Sequence, residues 1–199
     1  MNDVGLITTY SLLTEYRKNY SAILKQLKPA IQKAKAESEA SGEVVHNVIT
    51  LCYDEKQYIC SVYHSSFHEQ CTVYSLVPRK NSFEAFGYDK ETRRYYLYHD
   101  HFFKGYSERL NMGHKSPPEI LKHYFLHNPL MLFSRFVEKK GKTQSLTAVV
   151  RTGVLHGYVV HPYRIVNFRT LISHYILTKQ EAVYTGRLRR VLRNMELCK

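Results

Sequence analysis

Residues 99–110 read HDHFFKGYSERL. On a helix opening near Asp100, the residues His101, Lys104, Gly105, Glu108 and Arg109 fall roughly along one face, while Phe102, Phe103, Tyr106 and Leu110 fall elsewhere and supply packing. One face then carries an imidazole, an ammonium, a carboxylate and a guanidinium within about two turns. Imidazole is the side chain best matched to proton transfer near neutral pH. Arginine and lysine hold a phosphate and stabilise charge that grows on it. That set suffices for metal-free cleavage of RNA: a base deprotonates the ribose 2′-hydroxyl, which attacks the adjacent phosphorus while cations hold the oxyanion. In that scheme His101 is the general base or acid, Arg109 and Lys104 hold phosphate, and Glu108 orients one of them. The competing reading is a solvated helix face with a Lys104–Glu108 ion pair at i,i+4.

The elements that must position this face follow from periodicity. Residues 3 to about 40 repeat apolar groups at three- and four-residue intervals, among them Leu13, Tyr16, Tyr20, Ile23, Leu24 and Leu27. Pro29 is expected to kink or split that helix, and AIQKAKAESEASGE after it to be solvated. The runs VVHNVITLCY, QYICSVYH, CTVYSLVP, SFEAFGY and RRYYLYH, with short polar breaks, predict an antiparallel meander over 44–98. Two helices follow. The second is capped by Ser116 and opened by Pro117 or Pro118, stops or bends near HNP, and is expected to resume through LMLFSRFVEKKGK to a glycine end. Strands return at SLTAVVRTG, VLHGYVVH and YRIVNFRTL, with Gly153 and Gly157 near a turn or bulge, and a helix closes the chain over 173–198. The expected fold is α+β. A largely antiparallel sheet with two central helices and a C-terminal helix forms one domain over 43–199, and 1–42 form an N-terminal helical arm that packs on the domain or on a second copy.

Twenty-nine lysines and arginines against 17 aspartates and glutamates leave a formal net charge of +12. Such a field concentrates anions, and nucleic acid is the commonest partner that rewards it, through counterion release. The closing GRLRRVLRN puts Arg187, Arg189, Arg190 and Arg193 on one helix, a set suited to a phosphate backbone or an acidic partner protein. Its alternative is a solvated terminal helix whose cations favour its own dipole.

Other chemistries find less support. There is no G-x-S-x-G turn, P-loop or G-x-G-x-x-G, and no cofactor is called for. Cys52, Cys60, Cys71 and Cys198 contain no C-x-x-C pair. The 11 histidines raise the question of metal. His123 and His127, four apart on a helix, could face one ion in a metal-dependent hydrolase, but Tyr124 stands where the metalloprotease helix has its glutamate. No metal site is therefore expected. The opening residues lack the basic-then-apolar order of a signal peptide, and no apolar run approaches a membrane span, so the expected setting is reducing and cytoplasmic, away from membranes.

The stretch HFFKGYSERL resembles the His-x-x-x-Arg-x-x-Glu-Arg helix of RelE-like toxin proteins, in particular the BrnT-like branch. That resemblance implies a compact α+β endoribonuclease of a toxin–antitoxin system. His101, Glu108 and Arg109 match the motif; Gly105, with Lys104 beside it, stands where the middle arginine would be. VNFRTLISHYILTKQ is similar to the closing strand-and-helix segment of such proteins, which implies a role for Arg169 beside the helix. The likeness covers about 70–80 residues in two pieces. The overall expectation is a protein that engages nucleic acid, foremost RNA, either as a metal-independent endoribonuclease or as a non-catalytic binding module such as a regulator or mobile-element accessory protein.

Overall fold

The structure, a computed structural model, describes residues 3–79, 82–89, 93–133, 137–138, 143–160 and 165–197. The turns expected at 80–81 and 90–92, the glycine end expected at 141, Cys198 and Lys199 lie outside the described residues. Helix α1 (Asp3–Ser41) leads into a meander of β1 (Val45–Tyr53), β2 (Lys56–His64), β3 (Glu69–Arg79), β4 (Ser82–Asp89) and β5 (Arg94–Tyr98). Helices α2 (Asp100–Arg109) and α3 (Pro117–His127) come next. Then follow β6 (Met131–Phe133), β7 (Val137–Glu138), β8 (Thr143–Val150), β9 (Gly153–Val160), β10 (Ile165–Ser173), a 3-10 turn (His174–Ile176) and α4 (Lys179–Leu197). This is the expected α+β fold.

One sheet runs in the order β1-β2-β3-β4-β5-β10-β9-β8-β6, with β7 also on β8. Two antiparallel meanders meet at a parallel pair, β5 with β10, in which Ile165 lies opposite Tyr95 and Phe168 opposite Tyr98. A β-bulge falls between Phe168 and Thr170 against β9, beside Gly157. A Cβ at Gly157 would collide with the Asn167 carbonyl oxygen, so only glycine lets the strands approach there.

One face of this sheet, from Val48 on β1 through Tyr74, Tyr96 and Tyr98 to Ala148 on β8, forms a single core around Phe102 and Phe103 of α2 and Leu121, Tyr124 and Phe125 of α3. The sheet therefore curls about those two helices. Tyr98 stands at the centre, with its ring centroid 5.0–5.9 Å from six other aromatic rings among the described residues. The opposite face carries α1. Leu13, Tyr16, Ile23 and Leu27 are buried on Tyr58, Cys60, Val73, Phe86 and Leu97, each contributing about 1.5–3 kcal/mol of burial. The Tyr16 hydroxyl donates to the Val73 carbonyl at 2.6 Å.

The apolar stripe of α1 lies on the chain's own sheet, one of its two expected placements. Other expectations need correction. The helix is not split at Pro29, which is exposed, because the chain on both sides of it is anchored: Ile23 and Leu27 before, Ala34 and Ser38 after. The segment after Pro29 is mostly exposed, as expected, apart from Ala34 and Ser38. Residues 131–133 form a strand rather than more helix, because a short apolar run takes whichever period its neighbour imposes, and β8 is there to pair with it. The last helix starts at Lys179, not near 173: β10 runs to Ser173, and Thr178 caps α4. The Thr178 N–H donates to the Glu181 carboxylate at 2.9 Å, and the Glu181 N–H returns to the Thr178 hydroxyl at 3.2 Å. Ser116 opens α3 as expected, its N–H donating to the Glu119 carboxylate at 2.8 Å.

Candidate nucleic-acid interface

The joint between β5 and α2 separates two histidines that the sequence sets side by side. The His99 N–H donates to the Phe168 carbonyl at 3.0 Å, tying the helix start to β10. Its imidazole turns inward, 24% exposed, and Nδ1 lies 3.0 Å from the Glu84 carboxylate. Glu84 also accepts from Arg79 Nε at 2.8 Å. Burial alone would raise the Glu84 carboxyl, but the hydrogen bonds from His99 and Arg79 and their charges prevail and hold it below its ordinary value. This triad escaped sequence reasoning, since Glu84 and Arg79 belong to the β3–β4 hairpin and nothing local links them to His99.

His101 points the other way, with its side chain 85% exposed. Lys104, Glu108 and Arg109 are exposed beside it, so all four expected residues share the solvent face of α2, while Phe102, Phe103 and Tyr106 are buried beneath. The Arg109 guanidinium folds back along the helix: its Nη2 lies 3.4 Å from where a Cβ of Gly105 would be. The position that lacks the motif's middle arginine is thus overhung by the side chain of the last one. Among the described residues, Lys104 and Glu108 form no ion pair with each other.

Arg169 is exposed, but its guanidinium lies over the Tyr158 ring, 4.9 Å from the centroid, with Nη2 3.3 Å from the hydroxyl. Its backbone adjoins the start of α2 through Phe168, whereas its charge is directed to β9.

Helix α4 gathers the larger cationic set. Leu192 is buried on Tyr63, Leu130 and Val149, with Leu188 and Met195 half-buried beside it. With that side anchored, Arg187, Arg190 and Arg193 are exposed and Arg189 is half-buried. The charges of Arg189 and Arg193 act on His174, which follows β10. Its Nε2 donates to the Val150 carbonyl at 3.1 Å. Burial, and then the charges of Arg189 and Arg193, pull this imidazole below its ordinary value, against the opposing effect of its backbone hydrogen bonds. A spare cation there would add to an already positive surface, so the ring stays neutral near pH 7.

His123 and His127 do share one face of α3, with rings stacked at 4.1 Å. Each has one nitrogen engaged: Nδ1 of His123 is 2.9 Å from the Tyr106 hydroxyl, and Nδ1 of His127 donates to the His123 carbonyl at 2.9 Å. Burial, then His127 and Lys115, lower the His123 pKa. Among the described residues no group of three or more histidine, cysteine or acidic side chains could hold a metal ion. Nor, among them, is any helix long and apolar enough to cross a membrane.

No family model matches the chain, no curated protein matches it in sequence, and no solved structure matches it.

Proposed function

We propose that this chain binds nucleic acid, foremost RNA, and that α4 is its principal contact with the phosphate backbone. The observation that carries this is the arrangement of α4: one side is pinned to the sheet through Leu192, and four arginines stand around the remainder. Anchored cations lose less freedom on meeting phosphate than cations on a loose tail, and each phosphate they neutralise releases counterions. The formal charge of +12 supplies the long-range field that brings an anionic strand to them.

Fluorescence anisotropy with a short labelled RNA, repeated across salt concentrations, tests this reading. The expected result is affinity that falls steeply with salt, and a slope made shallower by about 0.7 for each single-strand phosphate contact removed with Arg187, Arg189, Arg190 or Arg193. Affinity insensitive to both salt and these substitutions rejects it.

A second reading, the metal-independent endoribonuclease, is favoured by the fold-back of Arg109 over Gly105, which carries a guanidinium along the helix face toward His101. There His101 would move the proton, Lys104 and Arg109 would hold the phosphate, and Glu108 would orient a cation. Labelled RNA incubated with the protein in EDTA decides it. Cleavage that survives chelation and disappears in His101→Ala supports the enzyme; binding without cleavage leaves the non-catalytic module.

A further inference from the structure

Between β2 and β3 the chain turns through Ser65, Ser66, Phe67 and His68. The Ser65 N–H donates to the His68 carbonyl at 2.8 Å, and the Ser65 hydroxyl accepts from the His68 N–H at 3.1 Å. A turn closed in this way is locally braced. It holds the Phe67 ring in water, 81% exposed. Helix α4 lies across from it and presents Val191, itself 42% exposed. Between them is a cleft of about 340 Å³ bounded by Tyr63, Phe67, His68, Val191, Asn194 and Met195. Tyr63 is buried, its ring 5.9 Å from that of His68, and its hydroxyl donates to the Met195 carbonyl at 3.2 Å. One wall is thus firmly joined to the other.

The lining is aromatic and apolar, but the rim is cationic. Arg187 stands one turn before Val191 and Arg190 one turn before Asn194, so the helical repeat places both exposed arginines on the cleft side of α4. Arg189 and Arg193 lie further round, toward His174. An apolar peptide side chain would fill the cleft without using the arginines, and a duplex would use the arginines without offering a base to the ring. An unpaired nucleotide has both a flat π-face and an adjoining phosphate.

We propose that this cleft takes an unpaired base of a single-stranded nucleic acid, stacked on Phe67, with Arg187 and Arg190 on the neighbouring phosphates. This rests on the nucleic-acid reading above and narrows it to single strands. Stacking one base on one aromatic side chain changes affinity by about 5- to 150-fold.

Anisotropy with the full chain and three labelled deoxy probes, each about a dozen units long, tests it: a thymidine strand, its duplex with an adenine strand, and an abasic sugar–phosphate strand. Deoxy probes lack the 2′-hydroxyl, so cleavage by that group cannot confuse the reading. The thymidine strand is expected to bind most tightly. Phe67→Ala should weaken it about 5- to 150-fold and leave the abasic strand unchanged, while Phe67→Tyr keeps the preference. Because Phe67 is exposed, both variants should melt like the parent. Equal binding of all three probes, with Phe67→Ala silent, overturns the cleft and leaves backbone binding standing. No binding of these probes or of the labelled RNA at low salt overturns both, and a protein partner is then the occupant to seek.

Discussion

The Tyr63 hydroxyl donates to the Met195 carbonyl at 3.2 Å, so a residue of β2 holds a turn of α4 although 132 positions separate them. Sequence neighbours do not predict this contact. It exists because the curled sheet brings β2 near the helix that lies on β8, where Leu192 packs with Tyr63 and Val149. Tyr63→Phe keeps the ring and removes the donor. Urea denaturation should register a loss of about 1 kcal/mol. Leu192→Ala, which empties part of the same cluster, should lose about 2–5 kcal/mol.

The charges of Arg189 and Arg193 depress His174, and this can be read without any ligand. In a protein carrying both Arg189→Ala and Arg193→Ala, the His174 imidazole should titrate at higher pH than in the parent, followed by its ring-proton NMR shifts. Burial is the larger cause, so the value should still stay below the usual histidine range. An unmoved titration would mean that the arginines do not face the ring.

Glu84 joins Arg79 and His99 at the base of α2. Its folded-state pKa lies below the unfolded one, so the unfolded chain binds more protons as the medium is acidified. The stabilisation is then complete above the unfolded carboxyl pKa, about 4.3, and is lost as pH falls through the lower folded value. Glu84→Gln should lose about 1.5–3 kcal/mol at pH 7. The gap between variant and parent should close in acid, measured by urea midpoints at a series of pH values.

His46 gives an acid sensitivity of the same sign, set at a higher pH. Its ring lies 3.0 Å from the Ser61 hydroxyl, and burial pulls its pKa down to about 4. Above the unfolded histidine value, about 6.5, both states are neutral there and stability is flat. As pH falls from 6.5 toward 4 the unfolded chain takes up the proton first, and stability declines by at most about 1.4 kcal/mol per pH unit from this group. His46→Gln should flatten that part of the profile. His174 adds a decline of the same sign, so removing both should flatten it further.

Gly157 is a backbone matter. Ala at that position would drive a Cβ into the Asn167 carbonyl beside the bulge. Its cost should exceed the ordinary cost of about 1 kcal/mol for a point substitution, and circular dichroism during thermal melting measures it.

Much of the scaffold was legible in the chain. The strands of the first meander announce themselves because Val, Ile, Tyr and Phe recur between short polar breaks, and strand periodicity is a local property. Ser116 followed by Pro117 and Pro118 marks a helix start for the same reason. The face of α2 that carries His101, Lys104, Glu108 and Arg109 was legible too, since helical spacing alone decides which residues share a side. Residues 131–133 depart from local preference because pairing with β8 imposes a strand, and the helix is not split at Pro29 because both its flanks are anchored on buried residues.

What depends on one stretch of chain can be read from that stretch: helix faces, turns, caps and the excess of positive charge. What depends on register and curvature cannot. That His99 turns to Glu84 while His101 faces water, that the charges of Arg189 and Arg193 reach His174, and that Phe67 stands across a cleft from Val191 are outcomes of strands pairing in one order and closing around α2 and α3. Spacing along a helix is set by covalent geometry over a few residues, whereas these juxtapositions are set by burial summed over the whole sheet.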